Sequence, residues 1–259
     1  MTEGKYANAN GLDIYYQEYG GGQPLILLHG ATDTHKLWYP FIAELSKSFR
    51  VIIPDSRGHG RTINPLQELS YQLLADDLAA FIQVLELDKP FLFGYSDGGQ
   101  AVLDLGVRYP DLTGALVIGG AWYRFSEEYQ EAISRAGFVA PGTLDWKVYQ
   151  QNAPPDWEAR LRAAHLDPDP EYPRILLESL AKLWWTPLNY IKDDFERISA
   201  PTLIMMGEKD EMIPLAEAEE MAALIPGAEL AIIPGVTHNE VLYENGNFLR
   251  VLIDFFCSL

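Results

Sequence analysis

The sequence predicts an α/β fold, in which a mostly parallel central sheet of about eight strands is flanked by helices and carries an inserted helical cap. Two observations predict this class. Short apolar runs alternate with longer helical patterns, which is typical of βαβ units, and one Pro- and Trp-rich stretch interrupts that alternation. The 259 residues suit one large domain with an insertion, since single α/β domains often reach roughly 200–250 residues.

Seven short segments are predicted to be strands, and the last five of them are rich in Val, Ile, Leu and Phe, as strands buried on both faces should be. In chain order they cover residues 12–19, 24–29, 50–54, 91–95, 112–118, 202–207 and 229–233. The first two flank three consecutive glycines, so we expect them to pair as a hairpin. One or two further strands are possible near the N-terminus, which brings the sheet to about eight.

Helical spacing fills the intervals between these strands. Residues 70–85 place Leu74, Leu78 and Phe81 on one face, and Ser70 is a suitable N-cap. Further helices are expected at residues 37–46, 98–109, 215–225 and 248–256.

The composition changes between residues 122 and 199, where five of the six tryptophans lie among proline-rich turns. The strand pattern resumes at Pro201, so this stretch is predicted to be a helical cap inserted between two strands of one sheet. Residues 1–121 and 200–259 would then form the core, and 122–199 the cap.

The net charge of −18 disfavours nucleic acids and anionic membrane surfaces as partners. The sequence has neither an apolar run long enough to span a membrane nor a secretory signal pattern, so we expect a cytoplasmic protein. The lone Cys257 cannot form an internal disulfide and is expected to be buried at the end of a helix. No Cys/His cluster has metal-site spacing, and no metal or cofactor is predicted.

The most informative stretch is residues 91–100, a buried strand that runs into Gly-x-Ser-x-Gly and then a helix. This is the context of a nucleophile elbow, in which the serine occupies a strained turn and its neighbours two positions away must be small. Gly94 and Gly98 meet that requirement around Ser96. If Asp97 were the nucleophile instead, Tyr95 would stand where a small residue is needed.

A serine nucleophile needs a histidine to take its proton and an acid to orient that histidine. His238 follows the last predicted strand and Asp210 follows the preceding one, so both would lie at the carboxyl edge of the sheet. Glu208 and Glu211 are alternatives for the acid. The order serine, aspartate, histidine is the order that α/β-hydrolases use.

The reaction would also need two N–H donors for an oxyanion, and the backbones of Asp97 and Ala31 are the candidates. His29, just before Gly30, is interpreted as a structural residue that braces this loop. Residues 55–61 are interpreted as a tight structural turn at the carboxyl edge, because they lack a phosphate-binding signature. His35 and His165 have no informative context and are assigned to the surface.

Five motifs together resemble the α/β-hydrolase superfamily over nearly the whole chain: LLHGA, DSRGHGRT, GYSDGG, MGEKD and PGVTHNE. GYSDGG and VIGGAWY are also similar to the biphenyl-hydrolase-like group that includes valacyclovir hydrolase. That resemblance implies a carboxylic-ester hydrolase with a cap. The human member of the group favours amino-acid esters and uses an acid near the cap, whereas the corresponding region here carries Arg124 beside Glu127 and Glu128.

The function expected is therefore ester hydrolysis through an acyl-enzyme, acting on a small-molecule ester that is apolar or aryl. Five aromatic residues are predicted to line its pocket: Trp38, Trp122, Tyr123, Trp184 and Trp185. The same residues could instead serve lactone or C–C bond hydrolysis. A ligand-sensing receptor built on this fold is a further alternative, and the oligomeric state is not predicted.

Overall fold

The computed structural model of the protein describes residues 3–186, 188, 190–242 and 247–259. Its strands are β1 (Lys5–Ala9), β2 (Leu12–Gly20), β3 (Gln23–Leu28), β4 (Phe49–Pro54), β5 (Phe91–Tyr95), β6 (Ala115–Gly119), β7 (Phe138–Ala140), β8 (Thr143–Leu144), β9 (Thr202–Gly207) and β10 (Glu229–Ile233). Its α-helices are α1 (Tyr39–Leu45), α2 (Tyr71–Val84), α3 (Asp97–Arg108), α4 (Glu127–Arg135), α5 (Trp146–Asn152), α6 (Trp157–Ala164), α7 (Tyr172–Trp184), α8 (Lys192–Phe195), α9 (Leu215–Leu224) and α10 (Asn247–Cys257). Short 3₁₀ turns at His35–Trp38 and Pro110–Leu112 precede α1 and β6.

Eight strands form the central sheet in the order β1-β2-β4-β3-β5-β6-β9-β10. β2 is antiparallel to β1 and β4, whereas every pair from β4 through to β10 is parallel. The predicted fold class is therefore confirmed.

The predicted hairpin between β2 and β3 is wrong, because β4 lies between these two strands. The glycine-rich turn crosses the start of β4 instead of joining two neighbours. A Cβ at Gly20 would lie 2.5 Å from the Phe49 carbonyl oxygen, and one at Gly22 would lie 3.3 Å from that of Ser48. The glycines here permit two backbones to cross closely. A glycine-rich stretch between two strands is also typical of a hairpin, so the sequence pattern does not distinguish the two arrangements.

The central strands are buried on both faces. Along β3, Leu25 and Leu27 pack into the apolar layer that includes Phe248 and Leu252 of α10, whereas Ile26 belongs to the opposite layer, which α2 and α3 cover. These helices hold the sheet from two sides and leave its carboxyl edge for the loops. Ser70 caps α2 as predicted, because its hydroxyl accepts a hydrogen bond from the Leu73 N–H.

Residues 122–199, which we call the inserted segment, lie between the neighbouring strands β6 and β9 and contain α4 to α8 and the β7-β8 hairpin. Two of its tryptophans, Trp146 and Trp157, stack with ring centroids 5.9 Å apart, and Tyr149 packs edge-on against Trp157. The segment therefore has aromatic packing of its own.

Three expectations about burial are wrong. Cys257 is exposed, because the buried face at the end of α10 is formed by Phe255 and Phe256. His35 and His165 are buried rather than on the surface, and each has hydrogen-bond partners that are distant in sequence.

Within the described ranges, no helix is both long and apolar enough to cross a bilayer.

Candidate active site

Ser96 lies between the end of β5 and the start of α3 in a strained backbone conformation. Its φ of +55° is in the left-handed region, which non-glycine residues rarely adopt. A Cβ at Gly94 would lie 2.0 Å from the Gly98 carbonyl oxygen, and one at Gly98 would lie 2.3 Å from that of Leu28. The two glycines therefore let the strand, the helix and β3 approach closely, which holds the serine in its turn.

Ser96, His238 and Asp210 form one chain of hydrogen bonds across three loops. The Ser96 Oγ lies 3.1 Å from Nε2 of His238, and Nδ1 of the same ring lies 2.7 Å from Oδ2 of Asp210. The other carboxylate oxygen of Asp210 accepts hydrogen bonds of 2.9 Å from the N–H groups of Met212 and Ile213. The carboxylate is thus fixed, and its free oxygen orients the imidazole.

Hydrogen bonds from neighbouring residues position His238, and they also involve Glu208 and Glu211, the two alternative acids. The Tyr95 hydroxyl donates to the His238 carbonyl oxygen at 2.7 Å, and the His238 N–H donates to Glu211 at 3.1 Å. Glu208 accepts from the Gly235 N–H at 2.7 Å. Both glutamates therefore bind the backbone of the histidine loop, and Asp210 is the acid that contacts the ring.

The predicted oxyanion donors lie beside Ser96. A Cβ at Gly30 would lie only 3.1 Å from the Ser96 Cβ, so the loop after β3 passes directly over the serine. The N–H groups of Ala31 and Asp97 donate no backbone hydrogen bond to another described residue. Both residues line the same cavity as Ser96, which leaves these N–H groups available for a ligand oxygen.

A cavity of about 320 Å³ lies above Ser96, between the sheet edge and the inserted segment. Its volume is at the lower end of the range for small-molecule sites, roughly 300–1,000 Å³. The apolar residues that line it are Ala31, Leu37, Tyr95, Trp122, Tyr129, Ile133, Ala136, Phe138, Tyr149, Leu177, Trp184, Met212, Ile213 and Leu242.

Of the five aromatic residues predicted to line the pocket, the structure places Trp122 and Trp184 on the cavity and the other three elsewhere. Trp38 is fully buried in the core beneath it, against Phe93. Tyr123 points to α9, where its hydroxyl binds Glu220. Trp185 donates its indole N–H to the Phe138 carbonyl oxygen. These three residues are close to site residues in the sequence, but their rings pack in the structure around the cavity and do not line it.

Apart from the His238 imidazole, the side chains that line the described part of the cavity wall and can ionise near neutral pH are carboxyl groups. Asp33 and Asp97 line it, and no Lys or Arg does so among the described residues. The residues outside the described ranges include no Lys or Arg either. Burial raises the pKa of Asp33 to about 6. Burial also raises the pKa of Asp97 to about 6, and hydrogen bonds from Tyr71 and Trp184 act in the opposite direction.

Sequence reasoning assigned Asp97 a backbone role and missed its side chain. The carboxylate accepts hydrogen bonds of 2.7 Å from the Tyr71 hydroxyl and 3.0 Å from the Trp184 indole N–H. Trp184 belongs to α7 of the inserted segment, so the Asp97 side chain connects that segment to the start of α3, directly after Ser96. Asp33 was also missed, and only its place four residues after His29 could have drawn attention to it.

The turn at residues 55–61 is a buried structural unit, as its pattern predicted. The Asp55 carboxylate accepts from the His35 and Arg61 N–H groups at 2.7 and 2.9 Å and lies 2.8 Å from the His35 Nδ1. His29 braces the neighbouring loop through contacts with the Ser56 N–H and the Gly30 carbonyl oxygen. In the described part of the chain, no group of three or more His, Cys, Asp or Glu is arranged to hold a metal ion.

The chain is similar to several known hydrolases. The chain is 27% identical to the 2-hydroxy-6-oxo-2,4-heptadienoate hydrolase of Pseudomonas putida, over 98% of this chain and 96% of that protein. It is also 27% identical to the serine hydrolase BPHL of Mus musculus, over 98% and 86% of the two chains. The structure of Est816, described as an N-acyl homoserine lactone degrading enzyme, matches with a TM-score of 0.74 and 26% identity, over 96% of this chain and 99% of Est816.

The family model for the α/β hydrolase fold matches residues 23–244, which include the strand-turn-helix at Ser96 and the loops that carry Asp210 and His238. With the sheet order and the resemblance to these hydrolases, this match shows that the chain belongs to the α/β-hydrolase family.

Proposed function

We propose that the protein is a serine hydrolase that cleaves uncharged carboxylic esters through an acyl-enzyme intermediate. The observation that carries this proposal is the continuous hydrogen-bonded chain from Ser96 through His238 to Asp210, which opens onto a cavity with mostly apolar walls. A hydroxyl becomes an effective nucleophile when an oriented imidazole takes its proton. Each of these parts is present at hydrogen-bonding distance.

In the first half of the reaction, the Ser96 Oγ attacks the ester carbonyl carbon while His238 Nε2 takes the hydroxyl proton. The carbonyl oxygen becomes an oxyanion that the Ala31 and Asp97 N–H groups can bind. The C–O bond to the alcohol then breaks, and His238 gives its proton to the leaving oxygen. Asp210 keeps the proton on Nδ1 throughout and stabilises the imidazolium.

In the second half, a water molecule repeats these steps on the acyl-enzyme. His238 takes a proton from the water, the hydroxide adds to the acyl carbon, and the Ser96 oxygen leaves with the proton that His238 returns. The products are an alcohol and a carboxylic acid, which ionises in water.

The charge of the cavity favours an uncharged substrate. A carboxylate on the substrate would meet Asp33 and Asp97 without a Lys or Arg to balance it, and like charges at short range repel strongly in a partly dehydrated site. The named substrate of the Pseudomonas relative is a carboxylate that contains no ester bond. Hydrolysis of such an acid is therefore the less favoured alternative for this cavity.

Lactone opening is a second candidate, because a lactone is an uncharged cyclic ester that the same steps would open. Est816 is described as degrading N-acyl homoserine lactones and shares the fold of this chain over nearly its full length. When a lactone is opened, the alcohol stays attached to the acyl group. Deacylation would then release a single product, a hydroxy acid.

The test is steady-state hydrolysis of p-nitrophenyl esters from acetate to octanoate, with Ser96→Ala as the inactive variant. Ser48→Ala is the matched control, because Ser48 is exposed at the turn before β4, away from the cavity. Dimethyl succinate and monomethyl succinate, which differ by one charge, then test the preference for uncharged esters. Turnover that survives in Ser96→Ala would overturn the nucleophile, and faster cleavage of the monoester would overturn the charge argument.

A further inference from the structure

His165 joins the inserted segment to two loops of the core. It follows α6 and is 3% exposed. Its Nδ1 accepts a hydrogen bond of 2.9 Å from the Gly60 N–H, and its Nε2 lies 3.1 Å from the Thr32 carbonyl oxygen. The Leu166 N–H adds a hydrogen bond of 2.8 Å to the Gly60 carbonyl oxygen.

The two partners of the ring determine its protonation. An N–H donor at Nδ1 requires that this nitrogen carry no proton, and a carbonyl oxygen at Nε2 requires that the other nitrogen carry one. His165 is therefore a neutral imidazole that accepts from Gly60 and donates to Thr32. Burial lowers the pKa of His165 to about 4, which is consistent with that neutral form.

Thr32 lies in the loop that carries a proposed oxyanion donor. It follows Ala31 directly, and its φ of +59° is in the left-handed region. This conformation is unfavourable for a β-branched residue and persists only where the surroundings hold it. Across the 30–33 turn, the Asp33 N–H lies 3.4 Å from the Gly30 carbonyl oxygen, which is a weak hydrogen bond. The contact from His165 to the Thr32 carbonyl oxygen, at 3.1 Å, is therefore the shorter of the two restraints on the Thr32–Asp33 peptide.

We infer that His165 is a positioning residue for acyl transfer. It holds the Thr32–Asp33 peptide, whose N–H faces the Gly30 carbonyl oxygen, and so orients the Gly30–Ala31 peptide with its Ala31 N–H towards the oxyanion. This inference rests on the proposed function. It gives the inserted segment a part in the chemical step, in addition to covering the cavity. A shift of about 1 Å in such a donor lowers rates by up to about 100-fold.

Two substitutions separate the contacts of His165. In His165→Gln the side-chain amide can donate to the Thr32 carbonyl oxygen from near the position of Nε2, while the Nδ1 acceptor is lost. In His165→Asn the amide oxygen can accept from the Gly60 N–H, but the side chain is too short to reach Thr32. We expect His165→Asn to lower kcat for a p-nitrophenyl ester about 10- to 100-fold with KM within about threefold, because an oxyanion donor acts on the transition state. His165→Gln should stay within about threefold of wild type.

Tyr172→Phe is the matched control. The Tyr172 hydroxyl donates to the Gly58 carbonyl oxygen, so it also ties the inserted segment to the 55–61 turn, but it does not touch the loop of Thr32. We expect its kcat to stay within about threefold of wild type. Equal losses in Tyr172→Phe and His165→Asn, or wild-type kcat in His165→Asn, would show that His165 only anchors the segment.

Amide hydrogen exchange of residues 30–34 tests the same inference without a substrate. Exchange should be at least about tenfold faster in His165→Asn than in wild type and nearly unchanged in His165→Gln. If wild type cleaves no ester, the proposed function fails, and this exchange still decides whether His165 holds the loop. If His165→Asn does not fold, ¹⁵N NMR of wild type decides the point: a proton on Nε2 alone supports the inference, and a proton on Nδ1 overturns it.

Discussion

Ser96 and Thr32 both line the cavity and share a left-handed backbone, with φ of +55° and +59°, but different parts of the chain hold them. Ser96 is supported by its sequence neighbours, since Gly94 and Gly98 allow the close approach of β5, α3 and β3. Thr32 is held by His165, which is 133 positions away in sequence. A positive φ at a non-glycine residue therefore has a local cause in one case and a tertiary cause in the other. Only the local cause can be recognised from a motif.

The largest effect is expected at Ser96, whose backbone conformation is supported by its sequence neighbours. Ser96→Ala should lower kcat for p-nitrophenyl esters about a millionfold, as loss of a nucleophilic serine does elsewhere. Thermal unfolding should change little, because the hydroxyl makes one hydrogen bond, to His238. A serine-directed phosphonate that labels wild type at Ser96 and fails to label the variant would sharpen the result, whereas labelling at another serine would contradict it.

Gly98→Ala removes the close approach of α3 and β3 that supports the Ser96 backbone. The new Cβ would lie 2.3 Å from the Leu28 carbonyl oxygen, so the backbone of β3 or α3 must shift. We expect kcat to fall at least about 100-fold and the free energy of unfolding in urea to fall by about 1–3 kcal/mol. Gly21→Ala is the control, since a Cβ there meets nothing within 4 Å. Similar losses in both variants would mean that close packing is not the cause.

Lowering the pH should weaken the support that His165 gives to Thr32. The folded-state pKa of His165, about 4, lies below its unfolded value of about 6.5. The folded protein therefore binds fewer protons there, and stability is lost as the pH falls from about 6.5 to about 4. Relative to His165→Gln, wild type should lose at most about 3 kcal/mol across this window.

Urea unfolding of both proteins at several pH values measures that difference. Asp33 and Asp97, whose pKa values burial raises to about 6, favour the folded state as the pH falls. They are present in both proteins, so their effect cancels in the comparison. A difference that does not vary with pH would contradict the buried neutral imidazole.

The smallest effect concerns Thr32 itself. A left-handed backbone costs a non-glycine residue roughly 1–3 kcal/mol, and glycine adds an unfolding entropy of about 0.5–1 kcal/mol. Thr32→Gly should therefore raise the free energy of unfolding by up to about 2.5 kcal/mol. Chemical denaturation measures this value, and a clear loss of stability would show that the threonine side chain matters more than its backbone.

The parallel part of the sheet and the placement of Ser96, Asp210 and His238 could be predicted because both depend on short-range patterns. Buried strands are continuous apolar runs, and three loops that follow parallel strands must meet at one edge. Asp210 was preferred to Glu208 and Glu211 because it lies three residues past Gly207, at the turn that ends the strand. In the fold, the Asp210 carboxylate contacts the ring, and the two glutamates bind backbone N–H groups.

The rest depended on contacts between distant segments. The glycine turn after β2 has the same sequence features whether it closes a hairpin or crosses over β4. His165 has no informative sequence context and was assigned to the surface, although two backbone partners satisfy both of its ring nitrogens inside the protein. Trp38 was expected at the cavity for its size and proximity in sequence, yet its ring fills the core against Phe93. Burial of these side chains is a property of the assembled fold.

The charge of the cavity also bears on how the reaction ends. In the proposed reaction, an uncharged ester would be converted into an acid, which would lose its proton to become an anion beside Asp33 and Asp97, where no Lys or Arg lines the described wall. A product that is repelled by the walls that accepted its precursor leaves readily. Product inhibition by the released acid should consequently be weak, and the rate of turnover would fall little as acid accumulates.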